Sequence, residues 1–386
     1  MELAIDRPSR LAKKAVKIRT VSASTPYFLS PSSFWDRPHE LTRFTDNQST
    51  ARANLMDGIC TLANDRVYDQ LVALLNSIEA VQGPQMPVCV FPYDENVDRV
   101  AAEIARRPNV QLYDDTESIR RWETFAEEIW KTHPTAFQRW NLQPGERFNR
   151  VGMHRRFCGF DGPFDRFIYM DGDTLLMDSV DFIFEKLETY DCVVYDFQYK
   201  DPSHVYDVTS EKLYDIFPKE RIESEIFCAG FYGTKKGLFD EEARKELLEH
   251  LKSDEADILY VNGPDQSIVN YMMMRSHKSV YNFAHHRSDD EKTGCCVTSP
   301  HFENRNNVLY DKGRRLTYLH YIGIPLNAFS RVCTGENVEF PYRDLFLHYR
   351  YLHEPEKRPK LTGKPKPYNP KPTLTQRILK KLNLTR

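Results

Sequence analysis

Arg166-Phe167-Ile168-Tyr169-Met170-Asp171-Gly172-Asp173-Thr174-Leu175-Leu176-Met177 is an apolar run interrupted by two carboxylates. Phe167 to Met170 read as an apolar strand that delivers Asp171-Gly172-Asp173 at its end. Both carboxylates project from that turn, and Gly172 offers a backbone freedom that other residues resist. A pair of carboxylate oxygens suits a hard cation, Mg²⁺ or Mn²⁺. Such a cation would bind a diphosphate and neutralise charge as a bond to a phosphate oxygen breaks. The plain alternative is an Asx-rich turn, because Asp-x-Asp is a common string. The strand before it and Leu175-Leu176-Met177 after it weigh against that, since a buried acidic pair requires a counter-ion.

Three strands precede this one. Gly58 to Ala63 and Pro87 to Phe91 read as buried strands, and Val110 to Tyr113 as a third. Between the first two, Val67, Leu71, Leu74, Leu75 and Ile78 recur at one-face helical spacing behind the helix-start residues Asn64 and Asp65. A second helix over 97–106 links the second and third strands. This βαβαβ opening implies a mostly parallel sheet flanked by helices, with ligands at the carboxyl ends of its strands. A polar, helix-rich stretch covers 117–160. Further strands are predicted at Cys192–Phe197, Gly230–Tyr232 and Thr317–Ile322, with helices over 241–251, 265–273 and an aromatic one through Leu345, Phe346, Tyr349 and Leu352.

The 386 residues suffice for one large α/β domain, and 40% apolar with 12% aromatic content excludes wholesale disorder. No run of about 18 uncharged apolar residues occurs, so no membrane span is expected, and no secretory signal is read at the N-terminus. The eight cysteines form no CxxC pair, which fits reduced thiols in a cytoplasmic compartment. Charge is segregated. Residues 354–386 hold ten Lys/Arg against two Glu and residues 1–20 hold six against two acids, so 21–353 carry −15 of a chain whose net charge is −3. An acidic body argues against a nucleic-acid partner. It suits an anionic ligand held through a metal or local cations.

Haloacid-dehalogenase phosphatases also place Asp-x-Asp after an apolar strand, the first Asp serving as nucleophile. Their signature opens its domain and carries Thr or Val where Leu175 stands, so a metal-dependent phosphohydrolase ranks second. From about Gly58 to Ile324 the chain resembles glycosyltransferase family eight, the glycogenin and galactinol-synthase relatives, through five spaced elements. Thr61-Leu62-Ala63-Asn64-Asp65 with Tyr68 is similar to the first-strand motif that holds the uridine nucleotide. Arg155 stands where the family has a cation contacting the donor. Tyr169 to Leu175 resembles its apolar-DxD-Thr-Leu run. Cys228-Ala229-Gly230 and Gly263-Pro264-Asp265-Gln266 through Asn270 are similar to the stretches that contact the donor sugar. Leu319-His320-Tyr321-Ile322-Gly323 is similar to its His-x-x-Gly. The resemblance implies a GT-A fold and a retaining transfer of a hexose from a nucleotide-diphosphate sugar, UDP first, to a carbohydrate, lipid-linked or protein acceptor. It implies a metal site of Asp171, Asp173 and His320, and a donor site of Thr61, Asn64, Tyr68, Arg155, Asp171, Cys228, Ala229, Gly230 and Gly323. Asp265 and Gln266 would be the catalytic pair, hydrogen-bonding sugar hydroxyls, with leaving-group stabilisation supplying most of the catalysis.

The implied GT-A domain spans 51–335, after a leader over 1–50 and before a helix over 336–353 and a basic tail over 354–386. Two positions depart from the family pattern: Leu326 replaces a lysine that grips the diphosphate, and Cys228 replaces an Asn. Arg155, Arg314 or Arg315 could supply the missing cation; otherwise a catalytically silent sugar-nucleotide binder is the third reading. The pairs His285-His286 and Cys295-Cys296 lack the spacers of a zinc site. Trp122, Trp130 and Trp140 are expected to pack the 117–160 stretch rather than stack on a sugar. The tail has six prolines between 355 and 372, which predicts an extended, solvated linker. Read as a helix, 373–386 sets Leu374, Ile378, Leu379 and Leu382 against Arg377, Lys380 and Lys381, an interfacial anchor for an anionic membrane.

Overall fold

The computed structural model describes residues 55–143, 146, 148 and 150–370. The expected leader over 1–50 and the amphipathic segment over 373–386 lie outside the described residues.

Seven strands make the central sheet: β1 (Asp57–Ala63), β2 (Val88–Pro92), β3 (Val110–Leu112), β4 (Arg166–Met170), β6 (Cys192–Val194), β7 (Phe231–Lys235) and β8 (Val280–Asn282), in the order β3-β2-β1-β4-β7-β6-β8. Only β7 runs against the rest. Between β4 and β6 in the chain, β5 (Thr174–Leu176) leaves this sheet to pair elsewhere. The fold is therefore mixed α/β with a mostly parallel sheet. Strand alternation makes its two faces apolar. Cys60, Leu62, Phe167 and Tyr169 point into one core with Trp122, Phe157 and Met272, while Ile59, Ala63, Ile168 and Met170 point into the other with Leu71, Leu74 and Ile183. Fully burying a Leu, Ile, Phe or Met side chain among these contributes about 1.5–3 kcal/mol.

The helix α1 (Tyr68–Gln82) covers the second face, followed by α2 (Asp98–Ile104). On the first face α3 (Thr116–Thr132) starts at Asp115, whose carboxylate accepts from the Glu117 and Ser118 amides at 3.1 and 2.9 Å. That cap relieves two of the four amide donors a helix leaves open. Trp122 and Trp130 are fully buried, and Trp140 stacks on Phe148 and donates to the Val261 carbonyl at 3.1 Å. The tryptophans are packing residues.

A third core lies between α1 and the C-terminal part of the chain. It joins Leu175, Met177, Leu319, Tyr321, Phe329 and Phe346. Three short strands, β9 (Glu303–Arg305), β10 (Val308–Asp311) and β11 (Arg314–Arg315), precede β12 (Tyr318–His320), which pairs antiparallel with β5. The helix Arg343–Arg350 is bound to α1 through Asn76 Nδ2 to the Tyr349 carbonyl (2.7 Å) and Arg350 Nε to Asp69 Oδ1 (2.7 Å). The start of the tail differs from a free linker. Thr362–Pro367 (β14) is wholly exposed but pairs in parallel with β13 (Glu336–Glu339). Its prolines are tolerated because it is an edge strand, where missing amide donors leave no ladder unpaired. No helix among the described residues is long and apolar enough to cross a membrane.

Candidate active site

Parallel strands put their carboxyl ends on one edge, and the order β3-β2-β1-β4 reverses direction of travel between β1 and β4. That switch point is where an open α/β sheet leaves a crevice. Asp171-Gly172-Asp173 leaves β4 there. Gly172 has no positive φ, so the expected backbone freedom is not what this glycine supplies. It supplies room: a Cβ would stand 3.3 Å from the Leu62 carbonyl at the end of β1.

Chain reversal brings His320 to the acidic turn. Directly after the turn, β5 pairs with β12 in a register that sets His320 opposite Thr174. The Tyr321 amide donates to the Asp173 carbonyl at 2.9 Å, and His320 Nε2 lies 3.4 Å from Asp173 Oδ1. One ligand atom each from Asp171, Asp173 and His320 all lie within 4.8 Å of one another. Two hard oxygens and one imidazole nitrogen fit a divalent cation of the Mn²⁺/Mg²⁺ type, with positions left for other oxygens. Gly230 makes this closeness possible, since a Cβ there would fall 2.6 Å from His320 Cε1 and 2.9 Å from Asp171 Oδ2.

The electrostatics are those of an acidic centre awaiting charge. Burial holds the Asp171 carboxyl above its ordinary range, with Arg156 opposing and Asp173 adding to the rise. Burial also pushes Asp173 up, but the His320 ring outweighs it and the carboxyl sits below its usual value. Burial would lower His320, yet Asp173 beside it holds the imidazole well above its usual value. A cation bound beside Asp173 would compete with a proton for the ring nitrogen.

Arg156, which sequence reasoning passed over, is the hub. Its guanidinium, 3% exposed, reaches Asp171 Oδ1 at 3.0 Å, Asp265 Oδ2 at 2.9 Å and the Ala229 carbonyl at 2.9 Å, and lies 4.6 Å from the Tyr169 ring centroid. Tyr169 Oη donates to Asp171 Oδ1 at 3.0 Å. Gln266 Oε1 accepts from the Ala229 amide at 3.1 Å while its Nε2 donates to the His204 carbonyl at 2.8 Å. The Asp171 amide donates to the Gly230 carbonyl at 2.9 Å. Asp171, Asp173, Cys228, Ala229, Gly230, Asp265, Gln266 and His320 thus form one connected cluster.

The other expected residues stand beside it. Thr61 is buried in β1 with its hydroxyl unpartnered. Asn64 caps the turn before α1 and donates to Asp94 Oδ2 at 2.8 Å; Tyr68 Oη donates to Glu103 Oε2 at 3.2 Å. Arg155 is bound to Glu123 (2.6 Å), Glu95 (3.0 Å) and the Pro92 carbonyl (3.0 Å), so with Asn64 it fastens the loop after β2. Gly323, at φ +80°, forms the turn after β12. Leu326 opens the helix Leu326–Cys333 and is 53% exposed. Arg315 pairs with Asp178 and Arg314 with Asp290, so no contact sets either at the acidic turn.

On the far side of His320 opens a cavity of about 630 Å³, lined by Asp196, Cys228, Cys296, Asp311 and Tyr318 among others, but not by Asp171 or Asp173. Asp196 follows β6, at the same edge of the sheet as the acidic turn. Its carboxylate accepts from the Gln198 and Cys228 amides at 2.7 and 3.2 Å, and burial raises its pKa to about 7. The signal was present in sequence, as the one acid inside the strand predicted at Cys192–Phe197.

No family profile matches the chain, and no curated protein matches its sequence. Solved structures do resemble it. One is galactosyltransferase LgtC in complex with donor and acceptor sugar analogues, 16% identical over 81% of this chain and 98% of that one, TM-score 0.48. Another is the bifunctional glycosyltransferase WbbM, 15% identical over 79% of this chain and 52% of that one, TM-score 0.47. A third is mouse xyloside xylosyltransferase 1, apo form, 12% identical over 59% of this chain and 85% of that one, TM-score 0.43.

Proposed function

We propose that the chain is a GT-A glycosyltransferase of the family-eight kind, moving a hexose from a nucleotide-diphosphate sugar, UDP-sugar first, to an acceptor hydroxyl with retention. The observation that carries this reading is the convergence of Asp171, Asp173 and His320 with the Arg156–Asp265 pair and the Gln266–Ala229 bond at the β1/β4 switch point. Asp171, Asp173 and His320 would hold Mn²⁺ or Mg²⁺, which when bound supplies charge against a diphosphate leaving group. Arg156 fixes the rotamers of Asp171 and Asp265, so neither must reorganise as charge develops. Asp265 and Gln266 are set beside the 228–230 loop, where they can orient sugar hydroxyls. The cavity beyond His320 is the acceptor side. A carboxyl near 7 there, Asp196, can take up or hold a proton at neutral pH. The loop after β2, fastened by Asn64 and Arg155, borders the nucleotide side.

We extend the proposal to the chain's surroundings: a cytoplasmic enzyme whose basic tail over 354–386 rests on an anionic membrane, with 51–335 as the catalytic domain. A panel of nucleotide sugars with Mn²⁺, read by donor hydrolysis and thermal shift, tests the activity. Turnover is expected with one donor, and Asp173→Ala should lower it on the order of 10³-fold or more. Release of inorganic phosphate would favour the phosphohydrolase instead. A thermal shift without turnover would make the chain a silent binder.

A further inference from the structure

Cys295 and Cys296 play no part in the activity proposed above, yet they line the same cavity as His320. Their sulfurs lie 3.6 Å apart, Cys295 is 7% exposed and Cys296 is half-buried, and both line the cavity. Their backbone is tied to the metal ligand on both sides. The His320 amide donates to the Cys295 carbonyl at 2.7 Å, and the Val297 amide donates to the His320 carbonyl at 3.0 Å, so Cys296 forms a parallel bridge with His320.

From this we infer that Cys295-Cys296 is a thiol-modification site, a vicinal dithiol that closes to a disulfide by exchange with a small-molecule disulfide such as oxidised glutathione and thereby displaces His320. Cys296 is the entry point because it alone of the two is half open to the cavity. Its sulfur attacks one sulfur of oxidised glutathione, expelling a glutathione thiolate and leaving a mixed disulfide. The Cys295 sulfur then attacks the Cys296 sulfur and expels the second glutathione. Two electrons pass from the pair to glutathione, and the two thiol protons end on the two glutathione thiols or in solvent.

Geometry couples this chemistry to the metal centre. An S–S bond is about 2.05 Å long, so sulfurs now 3.6 Å apart must close by roughly 1.5 Å. Adjacent Cα atoms are about 3.8 Å apart, below the usual disulfide range of about 4.4–6.8 Å, so the Cys295–Cys296 peptide must absorb the mismatch. That peptide is held between the two hydrogen bonds to His320, and its distortion is passed to the imidazole that faces Asp173. A strained, accessible disulfide is readily reduced, which makes the change reversible.

The part of this inference that concerns metal rests on the site reading above, and the test separates the two. The full-length protein is treated with oxidised glutathione and then with dithiothreitol. The tryptic peptide holding both cysteines should lose the mass of two hydrogens, the His320 ring-proton resonance should shift, and Mn²⁺ affinity should fall about tenfold, the scale of a disturbed ligand environment. All three should return on reduction. Cys295→Ser should stop at the mixed disulfide, gaining one glutathione, and Cys296→Ser should take up none at this peptide. Absence of the mass loss, or mass loss with an unmoved His320 resonance, overturns the inference. If the reduced protein binds no Mn²⁺, the metal reading fails by itself, while mass and resonance still decide the fate of the dithiol.

Discussion

Arg156 concentrates the physics of the site in one side chain. It is buried against two carboxylates, Asp171 and Asp265. Removing one member of such a set leaves uncompensated buried charge, at a cost of roughly 3–5 kcal/mol. Arg156→Met should therefore lower the Tm on the order of 10 °C. Mn²⁺ should raise the Tm of the variant more than that of the native protein, because the cation takes over the neutralisation of Asp171. Equal shifts in a metal-free and a metal-loaded melt would remove Arg156 from this role. Asp196 sets a pH dependence of unusual sign. Burial raises its folded pKa to about 7, whereas the unfolded value is near 3.8. Between those values the unfolded chain releases a proton that the folded chain keeps, so this residue's contribution falls as pH rises through the window and is flat above it. The full swing is about 4 kcal/mol. Denaturant titrations of Asp196→Asn against the native protein should show the native losing ground between about pH 4 and about pH 7. Parallel curves would mean that Asp196 titrates normally. Sequence pattern led to Arg155 and left Arg156 unread, because spacing counts positions and not directions. On the tight 3-10 turn Val151–Phe160 consecutive side chains diverge, and one arginine fastens a loop while its neighbour meets the acids.

Six of the seven strands of the central sheet were legible and three-residue β8 was not, for a reason that also explains what else was missed. Buried parallel strands are continuous apolar runs, so 57–63, 88–92 and 166–170 stand out locally. Three-residue β5 carries too short a pattern, and its partner β12 lies more than a hundred residues later. His320 could be matched to a motif, but its placement against Asp173 follows from that non-local pairing. The helix expected over 336–353 is shorter, Arg343–Arg350, because Glu336–Glu339 pairs as β13; it is aromatic as read, yet its face is core of the body. Phe346, 1% exposed, packs with Phe329 at 4.9 Å and Tyr321 at 6.3 Å between ring centroids. Phe346→Ala should cost about 3–5 kcal/mol and, by loosening the core behind β12, weaken Mn²⁺ binding as well. The adjoining β14 is the opposite case. All six of its residues are exposed and its Lys366–Glu336 pair is a surface contact. Truncation after residue 361 also removes Tyr368, which packs partly buried on the third core, so it should cost about 1–2 kcal/mol and no more. A melting curve that collapses on this truncation would show β14 to be structural.

At the scale of the whole molecule, the stability expected of that truncated chain makes its charge experiment clean. The chain is bipolar: residues 21–353 carry −15, and residues 362–386 carry seven Lys/Arg with no acid. An anionic bilayer repels the first and attracts the second. Each basic residue near the surface is worth about 1 kcal/mol, and the field dies within a Debye length of about 8–10 Å. Attraction by the tail wins only if the body is kept outside that distance, and joining the two at the exposed edge strand β14 rather than through the core permits this. The full chain should sediment with vesicles containing phosphatidylserine, should not sediment with neutral vesicles, and should be released as salt rises. The chain ending at residue 361 should stay in the supernatant while keeping a cooperative melt and its Mn²⁺ shift. If the truncated chain sediments as well as the full one, the membrane contact lies on the body. If neither sediments, the tail has no lipid partner, and a membrane-borne acceptor loses its support.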